Sequence, residues 1–449
     1  MPTDPQPRHV VIVGAGLAGA LLACFLARRG WTIDVFERRS DPRRAGPLGG
    51  RSINLALSTR GLTALDRVDL ADAILQDAVP MRGRMLHART GSLAFQPYSA
   101  DPRDAINSVS RSRLNITLIE AADRHDNVNL HFGHRCIDVD PDAPSATFRL
   151  VDGSTRTVPC DAVIGADGAF SAVRSRLQRL DRFDLSQTWL EHGYKELTIP
   201  PTGEGDFAIE PNALHIWPRG GFMMIALPNA DRSFTCTLFW PFQGPTGFEA
   251  VANRRDVLPF FERHFPDAIP LMPTLVDDFL TNPVGSLVTI RCRPWNHVGK
   301  VLLIGDAAHA IVPFYGQGIN AGFEDCRILD RILDEHADDL PSAFDAFSRT
   351  RKPDADAIAD LALANFIEMR DKVASPIFRL RKRAQRVAHM IAPGTYHPLY
   401  NLISFSNVPY AQAVRGARRQ GWAAAALGGA LVLLVLSMLL AMFVSILGP

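Results

Sequence analysis

Gly14, Gly16 and Gly19 in VVIVGAGLAG have GxGxxG spacing, and Glu37 and Arg38 follow about 20 residues on. The first glycine permits a tight turn, the second lets backbone approach a pyrophosphate, and the third lets helix and strand pack closely. With Leu17 and Ala18 they open a helix whose N-terminus faces phosphates. Glu37 then stands where a carboxylate accepts adenosine ribose hydroxyls. Two later stretches carry related chemistry: CDAVIGADGAFSAVR (160–174) has a buried strand ending in Asp167-Gly168, and LLIGDAAHAIVPFYGQGINAGFED (302–325) has one ending in Gly305-Asp306. Neither leads into a second complete fingerprint with a paired acid, so a separate NAD domain is not encoded. Read singly, each is an ordinary strand-end turn. The trio in this order points to one extended cofactor, FAD. Its adenosine diphosphate lies on the first loop and its ribityl chain near Asp306. A helix beginning near Gly318 or Ile319 aims its positive N-terminal dipole at the flavin.

These residues need elements to hold them. HVVIVGAG, LAGALLACFLARRG and TIDVFER predict a strand, a helix closed by Gly30 and a second strand, a βαβ unit. Farther on, NALHIWP, FMMIALP and SFTCTLFW are β-rich runs joined by turns, an antiparallel meander. Alternation puts Leu214 with Ile216, Ile225 with Leu227, and Thr237 with Phe239 on common faces. One face makes an apolar floor for a ring-bearing substrate; the plainer alternative is that these residues pack a small domain core. The expected fold is α/β: a Rossmann-like FAD-binding domain (1–75, 104–182 and 290–345) with an inserted antiparallel β-sheet substrate domain (76–103 and 183–289). C-terminal helices (346–415) and a transmembrane helix (420–447) follow.

Composition excludes several other classes. The 449 residues are 47% hydrophobic and 21% charged, with a net charge of +1. This describes a globular chain with a good core, not a disordered one, and gives no general pull toward nucleic acid. Cysteines 24, 136, 160, 236, 292 and 326 are scattered without a CxxC pair, so they read as reduced packing residues. His131 and His134 in HFGH lack a companion ligand motif, and no metal is expected. From Gln420 onward no residue is charged, and Trp422 to Leu447 is apolar apart from Gly and Ser. As a helix this run is about 39 Å long, more than a hydrocarbon core of about 30 Å. Arg415, Arg418 and Arg419 precede it, so the positive-inside rule keeps the large N-terminal part on the cytoplasmic side. The sequence predicts a single-pass tail anchor in a bilayer, bacterial inner or mitochondrial outer.

Over about residues 8–412 the sequence resembles the kynurenine 3-monooxygenase family of the group A flavin hydroxylases. GRSINLALSTRG (50–61), MRGRM (81–85), HGYKEL (192–197), EPNALHIWPRG (210–220), GDAAHAIVPFYGQGINAGFEDC (305–326), KVASPIF (372–378) and PYAQA (409–413) carry the resemblance. It implies FAD, reduced by NADPH that binds without its own domain. It also implies a flavin C4a-hydroperoxide that uses O2 to hydroxylate L-kynurenine at ring carbon 3, within tryptophan degradation. By the same resemblance Arg84, Tyr98, Asn365 and Tyr400 hold the substrate carboxylate, and Pro313 and Phe314 flank the flavin's reactive edge. Arg111, Ala56, Asn320 and, in a loop, Cys136 contact the cofactor. Tyr315 and Phe366 depart from the residues frequent in relatives. No general base is expected, because an aniline nitrogen already directs an electrophilic oxygen to the ortho carbon.

Other readings are weaker. A quinone hydroxylase or isoprenoid epoxidase would also suit a membrane anchor, but its substrate lacks the amino-acid head that the Arg84 set would grip. A halogenase needs a WxWxIP motif, which is absent. A non-catalytic flavoprotein scaffold leaves the polar clamp unexplained.

Overall fold

The computed structural model describes residues 7–44, 54–372 and 397–421, with Ser437. The expected membrane span at 420–447 lies almost wholly outside these residues, as do most of KVASPIF and the start of GRSINLALSTRG. Among the described residues no helix is long and apolar enough to cross a membrane.

Strands are numbered along the chain. β1 (His9–Val13), β2 (Thr32–Glu37), β8 (Val128–Phe132), β12 (Ala162–Gly165) and β19 (Val301–Leu303) form a parallel sheet, with β18 (Asn296–His297) antiparallel at its edge, in the order β18-β19-β12-β1-β2-β8. Val10, Val11 and Ile12 are wholly buried, which is why β1 reads as an unbroken apolar run. The Leu17–Arg28 and Gly318–Glu335 helices pack on one another in this layer. Because β1, β12 and β19 are neighbours, the three loops singled out in the sequence emerge side by side. His131 in HFGH is part of this layer: its Nε2 lies 2.8 Å from Asp34 Oδ1 and its ring stacks on Phe36. Two small sheets flank it, one of β3 (Asn54–Leu57), β7 (Ile106–Ser110) and β4 (Val79–Met81), the other of β9 (Arg135–Asp140), β10 (Ser145–Arg149) and β11 (Thr155–Pro159).

A seven-stranded sheet makes the second layer. Its order is β17 (Gly285–Arg293), β13 (Asp184–Ile199), β16 (Phe234–Pro241), β15 (Met223–Pro228), β14 (Ala213–Pro218), β5 (Gly83–His87), β6 (Leu93–Pro97). The meander β14-β15-β16 is antiparallel as expected. A wholly antiparallel sheet is not what forms, however, since β5 and β14 pair in parallel with Arg84 opposite Leu214. The two strands come from separate insertions, so no hairpin fixes their relative direction. The outer face, with Trp217, Met224, Leu238 and Trp240, packs under the Arg254–His264 and Leu275–Thr281 helices. The inner face, with Ile216, Met223 and Phe239, belongs to a different cluster. The plainer domain-core reading therefore describes the outer face.

The C-terminal part closes the inner face. The Leu340–Ile367 helix runs without a break through the expected division at 345/346, then widens into a π-helical turn, Glu368–Lys372. Leu399–Ser404 and residues 410–421 are helical.

Candidate active site

The glycine loop shows its division of labour atom by atom. Gly14 has φ of +105°, and a side-chain carbon there would lie 2.7 Å from the Ala166 carbonyl oxygen. At Gly19 it would lie 2.0 Å from the Gly14 oxygen, whereas at Gly16 it would meet nothing within 4 Å. Gly16 thus borders open space beside a helix end that has no side-chain cap and no acid in its first turn. That space fits a diphosphate. Glu37 closes it: the Ala15 N–H donates to Oε2 at 3.1 Å and the Arg39 N–H to Oε1 at 3.0 Å. Arg38 is exposed beside it.

Two more loops meet the first. Ala18 Cβ lies 3.2 Å from a carbon built on Gly305, and the Cys326 thiol donates to Ala18 O at 3.4 Å. Gly305 has φ of +58°, which delivers Asp306 into the cleft at the start of a short helix. Surrounding protein raises the Asp306 pKa by desolvation, with His309 and Arg111 opposing, although the side chain itself opens onto the cleft. Arg111 begins the Arg111–Asp123 helix. Asp167 accepts from the Ala172 N–H at 2.6 Å through Oδ2, while its buried Oδ1 has no partner. An unpaired buried acceptor, held at raised pKa by burial, is a place for a ligand's hydroxyl or N–H. Cys136 was expected in a loop; it is instead buried on β9, near Asp167, and burial pushes its thiol up to about 12.

At the far end of the cleft, Asn320 Nδ2 donates to Ala56 O at 2.8 Å and Gly316 O at 2.7 Å. Gly318 and Ile319 open a helix that again lacks a side-chain cap or early acid. The residues present fit an FAD laid from Glu37 to Gly318.

Beyond Gly318 the cleft meets the sheet's inner face. Arg84 is 8% exposed, and its Nε has no hydrogen-bond partner. Its guanidinium carbon lies 5.0 Å from the Tyr400 ring centre and 5.8 Å from that of Tyr98. The two tyrosine rings stack at 5.1 Å, and Tyr315 stacks on Tyr400 at 5.5 Å. Arg84, Tyr98 and Tyr400 therefore come together. Asn365 stands on the neighbouring wall, its Nδ2 donating to Phe314 O at 2.5 Å and reaching Met369 Sδ at 3.2 Å. Pro313 and Phe314 lie in a 3-10 turn; the Phe314 ring meets Phe239 edge-on at 4.8 Å and stacks on Phe366 at 4.1 Å. Leu214 and Ile216 line the same face. Met223 and Met369 also line this region and were not singled out in the sequence. Alternation from Ile225 would have found Met223, and a helical turn from Asn365 would have found Met369. A cleft of about 520 Å³ beside β7 and the Arg111 helix holds none of these residues.

Comparison with known proteins bears on the family and its cofactor. Residues 8–362 match the FAD binding domain family. The kynurenine 3-monooxygenase of Myxococcus xanthus is 49% identical over 409 residues, covering 91% of this chain and 88% of the relative. That of Sus scrofa is 44% identical over 414 residues, covering 92% and 87%. The chain belongs to the kynurenine 3-monooxygenase family. Among solved structures, 2-methyl-3-hydroxypyridine-5-carboxylic acid oxygenase superposes with a TM-score of 0.67 at 22% identity, covering 84% of this chain and 96% of that one. The p-nitrophenol 4-monooxygenase of Pseudomonas putida gives 0.67 at 20%, covering 85% and 94%. These two share the fold. Kynurenine 3-monooxygenase relatives thus span a myxobacterium and a mammal at similar identity, over nearly the whole chain.

Proposed function

We propose that the protein is an FAD-dependent monooxygenase that uses NADPH and O2 to convert L-kynurenine to 3-hydroxykynurenine. The observation that carries the reading is the buried Arg84, its Nε unpartnered, set among Tyr98, Tyr400 and Tyr315 at the end of an apolar floor that runs to the flavin-facing turn. The unpartnered Arg84 Nε is completed by a carboxylate, to which a guanidinium can give two parallel hydrogen bonds. Leu214, Ile216 and Phe239 offer the aromatic ring an apolar face, and Phe314 and Pro313 hold its edge toward the cofactor. Asn365 fixes the Phe314 carbonyl and so the height of that edge. Reduced FAD supplies the electrons with which one atom of O2 enters the ring while the other leaves as water. The protein's part is positioning and exclusion of water. No proton need be taken from the substrate before attack, since the aniline nitrogen activates the ortho carbon itself.

Membrane attachment belongs to the same proposal. The uncharged apolar run at 420–447, preceded by Arg415, Arg418 and Arg419, supports an anchor that leaves the catalytic part facing the cytoplasm. The test of the activity is direct: holoprotein incubated with NADPH, O2 and L-kynurenine should yield a product heavier by one oxygen atom, identified by mass spectrometry as the 3-hydroxy isomer. NADPH consumption that kynurenine does not stimulate, with no such product, overturns the reading.

A further inference from the structure

Behind the flavin-facing turn runs a buried chain of hydrogen bonds that ends on the C-terminal segment. Tyr410 is wholly buried and donates its hydroxyl to Gln317 Oε1 at 2.8 Å. A tyrosine that donates there turns the other end of the amide away. Gln317 Nε2 accordingly reaches Ser58 Oγ at 3.4 Å, and the Ser58 N–H donates to Asn320 Oδ1 at 2.8 Å. Asn320 in turn holds Ala56 O and Gly316 O. Gln317 immediately precedes the Gly318 helix, yet its side chain does not cap that helix. It is committed to Tyr410 and Ser58.

A second set of contacts seats the same segment. Arg60, 0% exposed, lies 3.9 Å over the Tyr410 ring and donates to the carbonyls of Leu402, Ile403 and Val408. It also pairs with Glu324 on the Gly318–Glu335 helix at 2.7 Å. The Ala411 N–H donates to Asp354 at 2.8 Å. Tyr400, which faces Arg84, stands on this segment too.

We infer that Tyr410 and Gln317 are positioning residues: their hydrogen bond lets the seated C-terminal segment fix the Gly316–Asn320 turn against the cofactor. One docking event then sets both the substrate wall, through Tyr400, and the flavin wall, through Gln317. The inference rests on the flavin-hydroxylase reading above, but its first test does not need catalysis.

Packing and positioning make different demands at residue 410. A phenylalanine preserves the ring beneath Arg60 and removes only the hydroxyl, whereas a leucine removes both. Amide hydrogen exchange of residues 316–320 should be measured in cofactor-free full-length wild type, Tyr410→Phe and Tyr410→Leu. In Tyr410→Phe, exchange there should rise about tenfold, the scale of one lost buried hydrogen bond. The loaded Tyr410→Phe enzyme should also send a larger fraction of its NADPH to hydrogen peroxide, with the KM for kynurenine little changed. Exchange at 316–320 in Tyr410→Phe equal to wild type, with only Tyr410→Leu impaired, would show a packing role and overturn the inference. If wild type does not hydroxylate kynurenine, the functional reading fails while the exchange result still stands or falls on its own.

Discussion

The Arg84 guanidinium carbon stands 5.0 Å from the centre of the Tyr400 ring, although one residue lies on an inner strand of the sheet and the other on a short C-terminal helix. Two distant parts of the chain thus make one cavity wall. Arg84→Lys should retain FAD and weaken kynurenine binding, because a point charge replaces a planar fork. The expected cost is about 1–3 kcal/mol, or roughly 5- to 150-fold in affinity. Titration of the flavin absorbance with kynurenine measures it, and unchanged affinity removes Arg84 from the site.

The glycine loop gives two variants with opposite signatures. Gly19→Ala places a carbon 2.0 Å from a backbone oxygen, so the cofactor-free protein itself should lose about 2 kcal/mol or more. Gly16→Ala meets no protein atom within 4 Å, so cofactor-free stability should stay within about 0.5 kcal/mol while FAD affinity falls. Thermal melts with and without FAD separate the two. Equal destabilisation of both cofactor-free variants would contradict the assignment.

His215 links stability to pH away from the active site. Its Nδ1 lies 2.8 Å from His87 Nε2 and its Nε2 2.8 Å from Glu210 O, and burial lowers its pKa from 6.5 to about 4. The folded state therefore favours the neutral ring. Its contribution is complete above pH 6.5 and is lost as pH falls toward 4, by about 3 kcal/mol in all. Denaturant melts of wild type and His215→Gln between those pH values test this: the variant should lack that part of the decline. Parallel pH profiles would rule it out.

Truncation after Arg419 should release the protein from membranes, since reversible surface attachment cannot replace a hydrophobic span. Full-length protein should resist high-salt and carbonate washes. Any attachment left after truncation should vanish in high salt as charges are screened. A truncated protein that survives both washes would place the anchor elsewhere.

What was legible in the sequence follows from how local each signal is. The loop after β1 could be read because an apolar strand, three glycines and, one helix and strand later, an acid follow in order and each has one job. The direction of β5 against β14 could not, since neither strand encodes which way a distant partner runs. Cys136 was expected in a loop but lies buried on β9, a strand whose burial does not follow simple alternation and whose pairing with β10 shifts register. Arg84, Tyr98 and Tyr400 lie together, and Asn365, on the neighbouring wall, is turned to the Phe314 carbonyl. The Tyr410–Gln317 bond has no sequence signature, as its partners sit 93 residues apart.

The order of these parts along the chain has a practical meaning for handling the protein. Every loop that fits FAD is complete by residue 320, while Asn365, Tyr400 and Tyr410 come later. A nicked or shortened chain can therefore keep the cofactor loops and lack the cavity wall. A preparation's yellow colour reports the presence of the first and says nothing of the second, so active fraction should be counted by substrate titration rather than by flavin content.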